Sequence, residues 1–96
     1  MTKETATLAI LSVVATIVET EPMPAPQTHL WLALQASGTL GAEIDDWYTV
    51  LRIGKSIGVW THTSETIELT DEGRKLGNRV NAETAAERDA EIRMGA

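Results

Sequence analysis

The stretch Ile67-Glu68-Leu69-Thr70-Asp71-Glu72-Gly73-Arg74-Lys75-Leu76-Gly77 changes its period in the middle, and that change restricts what the chain can fold into. Ile67 and Leu69 flank the polar Glu68, the alternation of a half-buried strand. Thr70 then offers a hydroxyl where a helix can begin, and the acids Asp71 and Glu72 suit the positive end of that helix. Just upstream, Val59-Trp60-Thr61-His62-Thr63 is also rich in β-branched residues, with a short polar tip near Thr63-Ser64-Glu65. The two segments read as a hairpin, Val59–Thr63 with Thr66–Thr70, feeding a closing helix.

Before the hairpin the periodicity is helical. Leu8, Leu11, Ala15 and Val18, and also Ile10, Val14 and Ile17, recur at helical spacing, which predicts a first helix from Thr5 to about Thr20. Its only polar strip is Ser12, Thr16 and Glu19. A helix apolar over most of its circumference is buried on most sides. It either lies at the centre of the domain or shares a face with a second copy, and a homodimer through this helix is expected. Glu21-Pro22-Met23-Pro24-Ala25-Pro26 ends it as a stiff turn, with Pro26 near the start of the next helix.

Gln27 to Ser37 predicts the second helix, with Leu30, Trp31 and Leu34 on one face and Gly38 placed to end it in a left-handed conformation. Thr39 is expected to cap a third helix reaching Gly54 or Ser56. Its apolar face is Leu40, Ile44, Trp47 or Tyr48, and Leu51; the opposite face carries Asp45, Asp46, Thr49, Arg52 and Ser56. After Asp71 the core contacts are Leu76 and Val80. Residues 81–96 are rich in Ala and Glu, with Asp89 and Arg93 one turn apart, and read as a helical extension or a frayed end. The 96 residues thus form a single domain with its core at about 5–80.

The order of helix, helix, helix, hairpin and helix resembles the winged helix-turn-helix family, in particular its compact bacterial and phage regulators. The resemblance covers about Thr5 to Val80 and rests on the third helix, the Ile57-Gly58-Val59-Trp60 exit and Leu69-Thr70-Asp71-Glu72-Gly73-Arg74-Lys75-Leu76. It implies a mainly α fold with a small β-hairpin. It also implies a transcription-regulator-like DNA-binding role, with the third helix in the major groove and the wing on the backbone. The contact residues so implied are Asp45, Asp46, Thr49, Arg52, Lys55 and Ser56 on the third helix, and His62 and Ser64 on the wing. Gly54 departs from the family, which has a bulky core residue there.

Charge qualifies that role. The formal net charge is −6, from 8 Lys and Arg against 14 Asp and Glu. An acidic balance opposes non-specific binding to phosphates, so DNA binding is expected to be weak and to depend on a local basic face. Arg52 and Lys55 are the bases of the third helix, while Glu43, Asp45 and Asp46 crowd its start; carboxylates there repel phosphates and accept only from cytosine amino groups. Arg74, Lys75, Arg79, Arg88 and Arg93 lie on or after the closing helix, interspersed with acids. The alternative function is an acidic protein-interaction module on the same scaffold, docking on a protein partner without DNA.

Enzymatic chemistry is not expected. Two His and no Cys argue against a zinc site, and no cofactor or metal is expected. Asp45 and Asp46 are helix neighbours whose side chains diverge by about 100° and form no facing dyad. Gly54-Lys55-Ser56 ends like a phosphate-binding loop but lacks the earlier glycine. His29 at the start of the second helix reads as a surface or packing residue. The apolar run Leu8–Val18 is about half of the roughly 20 residues needed to span a bilayer, so no membrane association is expected, and a reducing cytoplasm is compatible with the lack of Cys.

Overall fold

The computed structural model describes residues 1–20 and 23–95, and side chains up to residue 87. The chain is mainly helical with a small three-stranded antiparallel sheet. The elements in order are α1 (Lys3–Thr20), β1 (Ala25–Pro26), α2 (Gln27–Ala36), α3 (Ile44–Ser56), β2 (Trp60–His62), β3 (Thr66–Leu69) and α4 (Asp71–Gly95). Among the described residues no helix is long and apolar enough to cross a membrane.

The predicted hairpin is present. β2 and β3 pair antiparallel, with Trp60 opposite Leu69 and His62 opposite Ile67, and the Thr63 N–H donates to the Thr66 carbonyl at 3.0 Å to close the turn. The proline stretch does more than turn. Ala25 and Pro26 form a third strand against Ile67 and Thr66, so the sheet order is β1-β3-β2. β1 is an edge strand, where a proline without an N–H is tolerated. Glu21 and Pro22, at the start of that stretch, lie outside the described residues.

α1 is the centre of the core. Ala6, Ala9, Ile10, Val13, Val14 and Ile17 are buried against α2, α3 and α4 of the same chain. The Thr5 N–H donates to the Thr2 hydroxyl at 3.1 Å, which starts the helix two residues earlier than expected. Of its large apolar residues Leu8 alone is exposed, at 61 %. The apolar circumference that raises the expectation of a homodimer is thus mostly taken up inside the chain.

α4 begins as the sequence predicts. The Thr70 hydroxyl accepts the Gly73 N–H at 3.2 Å and itself donates to the Gly58 carbonyl, tying the helix start to the entry of β2. Gly73 and Gly77 are buried, and Gly77 lies against the backbone of Val14 on α1. One turn on, the Asn81 side-chain amide donates to the Ala15 carbonyl at 3.2 Å. The helix then continues through the Ala- and Glu-rich segment, as an extension of the closing helix. Asp89, Arg93 and Arg88 lie outside the described side chains.

The start of α3 differs from expectation. α3 starts at Ile44, with Glu43 as its N-cap, and not at Thr39. The Thr39 and Leu40 N–H groups are engaged by the Leu34 carbonyl at 3.0 and 3.2 Å, completing the end of α2, and Gly38 has the expected positive φ of 76°. Leu40 is buried from this turn rather than from a helix face. Gly54 is buried under the Trp60 indole, whose Nε1–H donates to the Leu51 carbonyl at 3.0 Å. The indole occupies the space that a bulky residue at 54 would need.

Candidate functional site

Successive positions about one turn apart on α3 form one outward stripe, and this decides which side chains face solvent. Asp45, Tyr48, Arg52 and Lys55 are exposed along it, with Ser56 beside Lys55. Asp45 and Asp46 lie in the first turn, where the helix dipole favours carboxylates, and Lys55 lies in the last, where it favours a cation. The stripe is therefore acidic at its start and basic at its end. Among the described residues neither Arg52 nor Lys55 lies within ion-pair distance of a carboxylate; Lys75 pairs with Glu72 on α4 at 3.6 Å.

The other expected contact residues are divided between two sides. Thr49 is half-buried, donates to the Asp45 carbonyl at 2.9 Å, and faces α1 together with Ile53 and Ile57. Asp46 is also half-buried. His62 alternates with the exposed Thr61 and so takes the Trp60 side of the sheet, half-buried, with its Nδ1 3.4 Å from the Thr63 carbonyl oxygen. Ser64 sits at the exposed hairpin tip and lines, with Glu65 and Thr66, a crevice shared with α3.

Ser64 and its neighbour Glu65 form one wall of a crevice of about 520 Å³; Trp31 of α2 and Ile44, Trp47 and Tyr48 of α3 form the others. A buried amide fixes these walls. The Gln27 Nε2 donates to the Thr63 carbonyl at 2.5 Å and lies 3.4 Å from the Thr66 carbonyl, while its Oε1 accepts the Trp47 Nε1–H at 3.3 Å. One side chain thus holds α2, α3 and the hairpin tip together. Glu65 is the charged side chain in the lining among the described residues, and Glu43 and Asp45 flank the lining residue Ile44 in the chain.

The sequence does not single out Ile44 and Tyr48 as surface residues. Ile44 is expected on the apolar face but is 43 % exposed, and Tyr48 is 57 % exposed. Trp31 is half-buried against the core rather than inside it. The available signal is the adjacency of Trp47 and Tyr48: only one of two neighbours about 100° apart on a helix can face the core. Among the described residues no group of three or more His, Cys, Asp or Glu is placed to hold a metal ion. Compared with known protein families, with curated proteins and with solved structures, the chain matches none.

Proposed function

We propose that the chain is a winged-helix binding protein of the transcription-regulator type that contacts DNA through the outer stripe of α3. The fold reading is supported by α2, a turn and α3 being followed by a hairpin and a closing helix. The observation that carries the functional reading is that Arg52 and Lys55 are exposed one turn apart, with no carboxylate in ion-pair reach among the described residues, on the same stripe as exposed Tyr48. A cytoplasmic, non-enzymatic protein goes with this reading.

The charges set the expected strength. Two or three phosphate contacts give a salt slope of about −2 to −3 on logarithmic axes, against six to ten contacts for strong binders. A carboxylate about 10 Å from a phosphate costs about 0.4 kcal/mol in water before screening. Asp45→Asn with Asp46→Asn is therefore expected to tighten duplex binding by about fourfold at low salt, with the gain shrinking at moderate salt. Arg52→Ala with Lys55→Ala is expected to abolish it. Anisotropy titrations at two salt concentrations measure both, and no DNA binding by the parent chain at either salt overturns the reading.

The crevice, with the aromatic side chains of Trp31 and Tyr48 and the Glu65 carboxylate in its lining, favours a second reading, a protein-interaction module that takes a basic segment with an apolar anchor between Trp31 and Tyr48. The same double Asn substitution then leaves DNA affinity negligible and weakens capture of the protein partner.

A homodimer through α1 is part of the proposal, with Leu8 as its large exposed apolar contact on that helix. Sedimentation equilibrium at tens of micromolar and neutral pH is expected to give twice the chain mass of 10.4 kDa. The chain mass itself rejects the dimer.

A further inference from the structure

The inner side of α3 borders a second concavity. A groove of about 520 Å³ lies between α1, α3 and α4, and Ile10, Leu11, Ile53 and Leu76 are among its apolar walls. That volume lies within the range of small-molecule sites, which are concave, mostly apolar and oriented by few polar groups. The charge of the lining runs against that of the chain. Acids outnumber bases 14 to 8 overall, yet among the described residues Lys3 is the charged side chain in the lining and no carboxylate side chain is there. Thr7 and Thr49 add hydroxyls, and Ile57, 59 % exposed, continues the apolar wall to the surface.

We propose that this groove binds a small amphiphile, an unbranched apolar chain ending in a carboxylate, with the chain along Ile10 and Ile53 and the head group at Lys3. Among the described residues no buried side-chain polar atom lacks a partner, so the apolar walls accept a methylene chain without a desolvation cost. A lone exposed lysine selects an anionic head over a neutral one only modestly, by about two- to fivefold, as exposed ion pairs do. The α3 residues of the groove, Thr49, Ile53 and Ile57, lie on the face next to the Tyr48, Arg52 and Lys55 stripe, and the two sites share no residue.

Decanoate and decan-1-ol are the probes, titrated by calorimetry below the concentrations at which they aggregate. Saturable binding of decanoate is expected at one site per chain, with shifts in the methyl resonances of Ile10, Ile53 and Ile57. Decan-1-ol is expected to bind about two- to fivefold more weakly, and Lys3→Gln to bring the two ligands level. Thr7→Phe places a ring in the groove from an exposed position, so the fold tolerates it, and it is expected to weaken both ligands by about tenfold or more while circular dichroism is unchanged. No saturable binding, shifts elsewhere in the chain, or affinity unaltered in folded Thr7→Phe overturns the proposal.

Discussion

Truncating Trp47 to alanine is expected to remove about 3–5 kcal/mol of stability, the range for large aromatic side chains in cores. Trp47 is 2 % exposed, and its ring lies 6.0 Å from that of Trp31, tilted by 35°. With no Phe in the chain, three Trp and one Tyr supply all the large aromatic volume, and neighbouring side chains have little to fill the void with. The loss also has a polar part. The Trp47 Nε1–H is the donor to the Gln27 Oε1, and Gln27 is a buried polar residue. Leaving that oxygen without its donor adds a desolvation cost of about 1–3 kcal/mol unless water enters the void. A native domain holds about 5–15 kcal/mol in all, so the variant is expected to be marginal at room temperature. Tyr48→Ala, one residue on, is the control: an exposed side chain is expected to change stability by no more than about 0.5 kcal/mol. Urea unfolding followed by circular dichroism measures both. Equal losses at 47 and 48 would contradict the inward and outward assignment on which the α3 stripe depends.

That pair also shows where the sequence was legible and where it was not. Periodicity and the Thr70 cap located the hairpin and the start of α4. For α1 they showed an apolar circumference but left open whether it lies at the centre or on a face shared with a second copy, and the structure buries most of it inside the chain. The helical stripe by itself admitted either Trp47 or Tyr48; of the core candidates Trp31, Trp47 and Leu51, the structure buries Trp47 and Leu51 and leaves Trp31 half-buried. β1 is two residues long and contains a proline, so no alternation could announce it; its pairing depends on β3 being next to it in space. Thr39 is a chemically suitable cap, but its N–H is engaged by the end of α2, and a competing use of that kind is invisible in a linear reading. For the candidate site, Arg52 and Lys55 were readable from their period and charge. The crevice was not, because it is assembled by Gln27, a residue whose role appears only when the hairpin tip comes within hydrogen-bond reach of α2.

Gly73→Ala and Gly77→Ala are each expected to destabilise the chain by about 1–3 kcal/mol, the cost of overpacking, although helix propensity alone predicts the opposite sign. Alanine is favoured over glycine inside a helix by about 1 kcal/mol. At Gly77 a Cβ would come 2.6 Å from the Val14 carbonyl oxygen and 2.7 Å from Val18 Cγ2, closer than real contacts allow. The Val18 methyl can turn aside, but the Val14 oxygen belongs to the backbone of the central helix and moves only if α1 and α4 separate. That separation would loosen the Asn81 bond to Ala15 and thin the packing of Leu76 against the core. At Gly73 the obstacle is the Val59 carbonyl, also backbone, which accepts the Thr70 N–H at 3.1 Å. A methyl there pushes on the link between α4 and β2, and this side has no rotatable group to yield, so Gly73→Ala is expected to be the worse of the two. Gly41 supplies the opposite case. Nothing lies within 4 Å of a Cβ there and its φ is not positive, so Gly41→Ala is expected to stabilise the chain by about 0.4–1 kcal/mol through the unfolded state. Thermal and urea unfolding of the three variants test the sign at each position, and stabilisation by alanine at 73 or 77 would mean that α4 does not pack on α1 and the β2 entry through its glycines.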